Sequence, residues 1–63
     1  MKTGRVKFYN SEKGYGFITD DASGTEVFVH VSGLSEEVEQ DDEVVFDTKD
    51  GKKGLNAINV RRS

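Results

Sequence analysis

The sequence predicts an all-β protein, a small barrel of five antiparallel strands, and three observations carry that expectation. Apolar residues recur with the period-two alternation of half-buried strands, and no stretch keeps a convincing helical period. The runs are short and are separated by clusters of Gly, Asn, Asp and Ser that favour turns. With 63 residues the chain is near the lower limit for a self-supporting apolar core. Five short strands in so short a chain must protect their own edges, and closing the sheet on itself does so.

The first strand is expected from Lys2 to Asn10, where cationic and apolar residues interleave through Arg5-Val6-Lys7. Alternation fails at Phe8-Tyr9, so either one ring packs inside and one outside, or a bulge re-aims the strand end. Asn10 to Gly14 forms a polar turn, and the second strand covers Tyr15 to Thr19. Asp20 to Gly24 makes the next turn, followed by a third strand from Thr25 to Val31. Between Ser32 and Asp42 the periodicity disappears and the composition becomes acidic, as in a surface connection. Leu34 and Val38 lie four apart there, a spacing that suits a helical turn under Ser35-Glu36-Glu37 or an irregular loop dipping twice into the core. The fourth strand spans Glu43 to Thr48, Asp50-Gly51 signals a tight two-residue turn, and the fifth strand spans Gly54 to Arg62. The expected core is Val6, Ile18, Val27, Val29, Leu34, Val44, Phe46, Ile58 and Val60, with Val38 as a lid.

Residues 1–63 are thus read as a single domain without internal repeat, and several function classes drop out. Without Cys there are no disulfides and no thiolate metal site, and one His gives no zinc pattern. No apolar run is long enough for a signal peptide or a bilayer span, which points to a cytoplasmic setting. The net charge of −3 is unevenly distributed. Residues 1–18 carry Lys2, Arg5, Lys7 and Lys13 against Glu12 alone, residues 19–50 carry eleven carboxylates against Lys49, and residues 51–63 carry Lys52, Lys53, Arg61 and Arg62. Since fields are screened over about 8 Å at physiological salt, local cations count for more than the net value.

Strand alternation places Tyr15 and Phe17 on one face of the second strand, and Phe28 and His30 on one face of the third. Paired as a hairpin, the two strands put three rings and an imidazole on the face left over once Ile18, Val27 and Val29 have filled the interior. Rings on an open sheet face flanked by cations suit single-stranded nucleic acid, because every base offers a π face to stack. Lys7, Lys13 and Lys53 could neutralise phosphates along that track, and His30 could stack or hydrogen-bond through either nitrogen. Each residue also has a plainer reading. Phe17 could serve as sheet glue against Phe28, His30 as an ordinary surface histidine, Gly14 as a turn glycine, and the acidic run Glu36 to Glu43 as solvated surface.

The segments KGYGFI and VFVH resemble the two ribonucleoprotein motifs of the bacterial cold-shock protein family, and RVKFYNSEKGYGFI resembles that family's N-terminal signature. The resemblance is specific over residues 4–34 and continues more loosely through Asp50 to Val60. It implies a five-stranded antiparallel barrel of the oligonucleotide-binding class (the OB-fold) that binds single-stranded RNA and DNA and acts as an RNA chaperone without ATP. It implies that Lys7, Phe8, Lys13, Tyr15, Phe17, Phe28 and His30 lie on the binding surface, with Phe8 where the family usually has Trp. Val31 stands where many members carry a further aromatic, the 32–42 connection is shorter than usual, and Leu55 replaces a common Pro. These departures predict fewer or weaker base contacts at the C-terminal end of the track, with affinity for a short strand on the order of micromolar or somewhat tighter.

The leading expectation is therefore a monomeric, sequence-tolerant binder of single-stranded RNA and DNA, with no cofactor, membrane partner or small-molecule substrate. A four-stranded RNA-recognition fold is disfavoured, since it needs two helices and the opposite motif order. The alternative from another class is a protein- or peptide-interaction barrel using the same aromatic face. An enzyme lacks support, because the single His has no positioned acid or base partner evident from spacing and no carboxylate cluster suggests a metal.

Overall fold

In the computed structural model, which describes residues 1–51 and 54–63, the alternating segments form strands β1 (Lys2–Asn10), β2 (Tyr15–Asp20), β3 (Glu26–His30), β4 (Glu43–Gly51) and β5 (Gly54–Arg62). They close into a barrel in the order β1-β2-β3-β5-β4, with β4 returning to β1. Four of the five pairings are antiparallel, and β3 runs parallel to β5. That single parallel contact corrects the wholly antiparallel expectation. Closure requires it, since the 31–42 connection and the β4–β5 hairpin together bring β5 back beside β3 in the same direction.

The core is Val6, Ile18, Val27, Val29, Val38, Val44, Phe46, Ala57 and Val60, all buried, with Tyr9 and Leu34 packed against it. Small branched side chains dominate because a narrow barrel interior leaves little width between facing strands. Two expected core residues differ. Leu34 is only half-buried, at a parallel bridge to Val60, whereas Ile58 is displaced outward and Ala57 takes its place inside. The reason is a bulge: the β4–β5 register passes from Val45↔Arg61 to Asp47↔Ile58, leaving one extra residue on β5. Asn59 occupies the left-handed region there with φ +53°, so alternation counted back from Val60 slips by one.

The 31–42 connection opens with a single 3₁₀ turn, Val31–Gly33, and then runs without regular structure. Of the two readings of Leu34 and Val38, the irregular loop holds, and Val38 is buried against the core. The end of the loop is stitched to β1 by Val6 N–H to the Asp42 carbonyl at 2.9 Å and Asp41 N–H to the Val6 carbonyl at 2.7 Å. At the other hairpin β4 continues through Asp50 and Gly51, which pair with Leu55 and Gly54. Asp50-Gly51, expected as the turn, are therefore the last two residues of the strand. No helix among the described residues is long and apolar enough to cross a membrane.

Candidate nucleic-acid interface

Cross-strand registers build one continuous outer face from residues distant in sequence. Phe8 pairs with Phe17, Phe17 with Phe28, and Phe28 with Asn56, so three rings and an amide lie in a row across β1, β2, β3 and β5. The adjacent outward row is Asn10, Tyr15 and His30. The four rings touch. Phe8–Tyr15, Tyr15–Phe17 and Phe17–Phe28 meet edge to face with centroids 6.1, 6.5 and 5.8 Å apart, while Tyr15 and Phe28 lie nearly parallel at 6.0 Å and 22°. Edge-to-face contact orients each ring by its neighbours' quadrupoles. Phe8 is 39% exposed, and the other three rings are half-buried.

The β1 bulge puts Phe8 there. The β1–β2 register passes from Val6↔Ile18 to Phe8↔Phe17, which makes Lys7 the extra residue and lets Lys7 and Phe8 both point outward. Tyr9 then turns in against the core. The two readings of Phe8-Tyr9 are thus both realised, one as the cause of the other. The close strand approach beneath the rings depends on Gly16, where a Cβ would stand 2.3 Å from the Phe8 carbonyl oxygen. Gly14 is the turn glycine, at φ +73°, and its carbonyl accepts from Val31 N–H at 2.8 Å. In the same turn Asn10 Oδ1 accepts from the N–H groups of Glu12 and Lys13, at 3.0 and 3.2 Å.

His30 has two roles. Its Nδ1 accepts from Ser32 N–H at 3.2 Å and lies 2.9 Å from the Ser32 hydroxyl, capping the 3₁₀ turn. In the neutral ring this leaves the proton on Nε2, so one nitrogen, not either, faces the outside as a donor. Lys7 departs further from expectation. Its ammonium bridges across β2 to the carboxylate of Glu26 on β3 instead of standing free. Lys13, on the turn beside Tyr15, has no ion-pair partner among the described residues. Lys53 lies outside the described residues.

Past His30 the surface changes character. Val31, 49% exposed, leads into an open groove whose lining includes Tyr9 and Leu34, the carboxylates of Glu36, Glu37, Glu39 and Asp42, and Arg62. Among the described residues no group of three or more His, Asp or Glu is placed to hold a metal ion. Sequence reading missed Asn56 and Glu26 on the outer face. Strand alternation puts Glu26 in phase with Phe28, a signal that was available, whereas Asn56 reaches the face only through the long-range parallel pairing.

Comparison with known proteins agrees with this geometry. The family model of the 'Cold-shock' DNA-binding domain matches residues 2–63. The major cold shock protein of Micrococcus luteus is 46% identical over 66 residues, covering 98% of each chain. The cold shock protein ScoF of Streptomyces coelicolor is 42% identical over 64 residues, covering 95% of this chain and 96% of its own. Among solved structures, drosophila Unr CSD456 superposes with a TM-score of 0.80 at 23% identity, over 98% of this chain and 26% of that one, a likeness of fold. With matching motifs, a matching closed barrel and relatives aligned end to end, the chain belongs to the cold-shock domain family of nucleic-acid-binding proteins.

Proposed function

We propose that residues 1–63 act as one cold-shock domain that binds single-stranded RNA and DNA as a monomer in the cytoplasm, and that it holds RNA unpaired as a chaperone. The observation that carries this reading is the unbroken outer row Phe8–Phe17–Phe28, flanked by Tyr15 and His30, on a sheet whose interior is already filled by aliphatics. Bases stack on such rings for roughly 1–3 kcal/mol each, whatever their identity. A duplex hides those base faces, so the protein engages only the open strand and shifts the pairing equilibrium toward it by mass action, without ATP. Lys13 and Lys53 supply phosphate contacts, Lys7 lies beside Phe8 on the same face but paired with Glu26, and Nε2–H of His30 offers a donor to a base edge. The acidic groove beyond Val31 ends the track and accounts for a modest affinity. The interaction-barrel alternative is not favoured, since the family is one of nucleic-acid-binding proteins.

Titration with heptathymidine at low salt, followed by backbone amide shifts, tests the reading. Shifts are expected from Lys7 to Phe17, from Phe28 to His30 and at Asn56, with sedimentation as a monomer. An unperturbed spectrum in those segments would refute it.

A further inference from the structure

We propose that Glu26 is an internal competitor for phosphate at Lys7, so that one end of the aromatic face is electrostatically closed in the free protein and the strand's grip is weighted toward Lys13. The inference rests on the single-strand reading above and concerns how that same face is tuned.

Its basis is the pairing of charges on the outer face. The bulge at Lys7 points the ammonium outward next to Phe8, at the position from which it would meet a phosphate. Glu26 pairs with Thr19 in the register, in phase with Phe28, and so lies on the same outer face one step beyond the rings. The two side chains meet across β2. A carboxylate offers the cation two anionic oxygens, as a phosphate does, so a strand can use Lys7 only by exchanging with Glu26 or by joining an already neutral pair. Both side chains are well exposed, at 61% and 44%, and such pairs contribute little to folding stability. Their effect falls instead on what approaches the face. At the opposite end Lys13 carries its charge without a carboxylate partner among the described residues. The platform is therefore asymmetric, with a free cation at the Tyr15–His30 end and a neutralised one at the Phe8 end.

The test compares the native protein with Glu26→Gln, Lys7→Met and the double variant, reading heptathymidine affinity across a salt series. Glu26→Gln frees Lys7 and is expected to tighten binding several-fold and to steepen the slope of log K against log salt by about 0.7, the increment of one single-strand phosphate contact. The double variant should return to the native slope, since Lys7 does not contribute to it in the native protein. Unchanged or weaker binding by Glu26→Gln, or a native slope that flattens in Lys7→Met, would overturn the proposal. If none of the four proteins binds heptathymidine, the single-strand reading fails and not the competition between Glu26 and phosphate. Thermal unfolding of each variant, expected within a few degrees of native, shows that binding changes do not arise from misfolding.

Discussion

Phe17 stands at the middle of the outer row in edge-to-face contact with Tyr15 and Phe28, so its ring braces its neighbours and, on the proposed reading, offers a stacking surface. Phe17→Ala or Phe28→Ala is expected to weaken heptathymidine binding by roughly 1–3 kcal/mol. The same changes should lower stability by under about 1 kcal/mol, the scale of one cross-strand pair. Tyrosine fluorescence and urea unfolding separate the two effects. Gly16 behaves in the opposite way. Gly16→Ala drives a methyl into the Phe8 carbonyl and Tyr9 backbone, and urea unfolding should show a loss of about 1–3 kcal/mol. Asp20 is the one buried carboxylate among the described residues. The Ala22 N–H bound to it, aided by Lys2 at 3.3 Å, holds its pKa below the usual carboxylate value of 3.8 despite burial. Glu36 is likewise held below 4.5, first by the Arg62 N–H and then by the Arg62 side chain. Because both folded values lie below the unfolded ones, the stability they supply is complete above about pH 5. It is lost as pH falls through the folded values. Asp20→Asn with Glu36→Gln should therefore flatten the acid limb of a stability-versus-pH curve below pH 4 and leave its shape near neutrality unchanged.

At the scale of elements, two bulges decide which residues face out. In β1 the extra residue brings Lys7 and Phe8 to the same surface. In β5 the left-handed Asn59 turns Ile58 outward and Ala57 inward. Asn tolerates that backbone region because its short polar side chain can hydrogen-bond locally, whereas a β-branched residue cannot enter it without strain. Asn59→Val should cost about 1–2 kcal/mol by thermal or urea unfolding, and Asn59→Gly should be nearly neutral. If Asn59→Val were silent, β5 would hold its register without the bulge.

Over the whole molecule, folding rearranges the charge map that the linear sequence suggests. The basic N-terminal block does not survive closure as a basic patch. Lys2 pairs with Asp20, Arg5 with Glu43 at 3.0 Å and Lys7 with Glu26, each partner drawn from the acidic middle of the chain. Arg62 pairs with Glu36 in the same way. On the proposed reading the aromatic row, not a field of cations, then supplies most of the grip. The expected consequence is a shallow salt dependence. At about −0.7 per phosphate contact, the slope for heptathymidine should lie between roughly −0.7 and −2 across a salt titration. A steeper slope would show that the ion pairs open on binding and release their cations to the strand.

Strand positions and the aromatic face were legible in the residue order because alternation is local. A period of two, turn-forming Asn10 and Gly14, and the phase of Tyr15, Phe17, Phe28 and His30 need no knowledge of distant partners. The bounds of β1 and β5 follow from that pattern alone. Everything that depends on register between distant segments came only with the closed barrel. The parallel β3–β5 contact brings Asn56 beside Phe28, the two bulges redirect Lys7 and Ile58, and carboxylates from the middle of the chain neutralise Lys2, Arg5 and Lys7. Side-chain direction within a strand is set by neighbouring peptide units. Which strand lies alongside, and in which phase, is set by packing the whole interior at once.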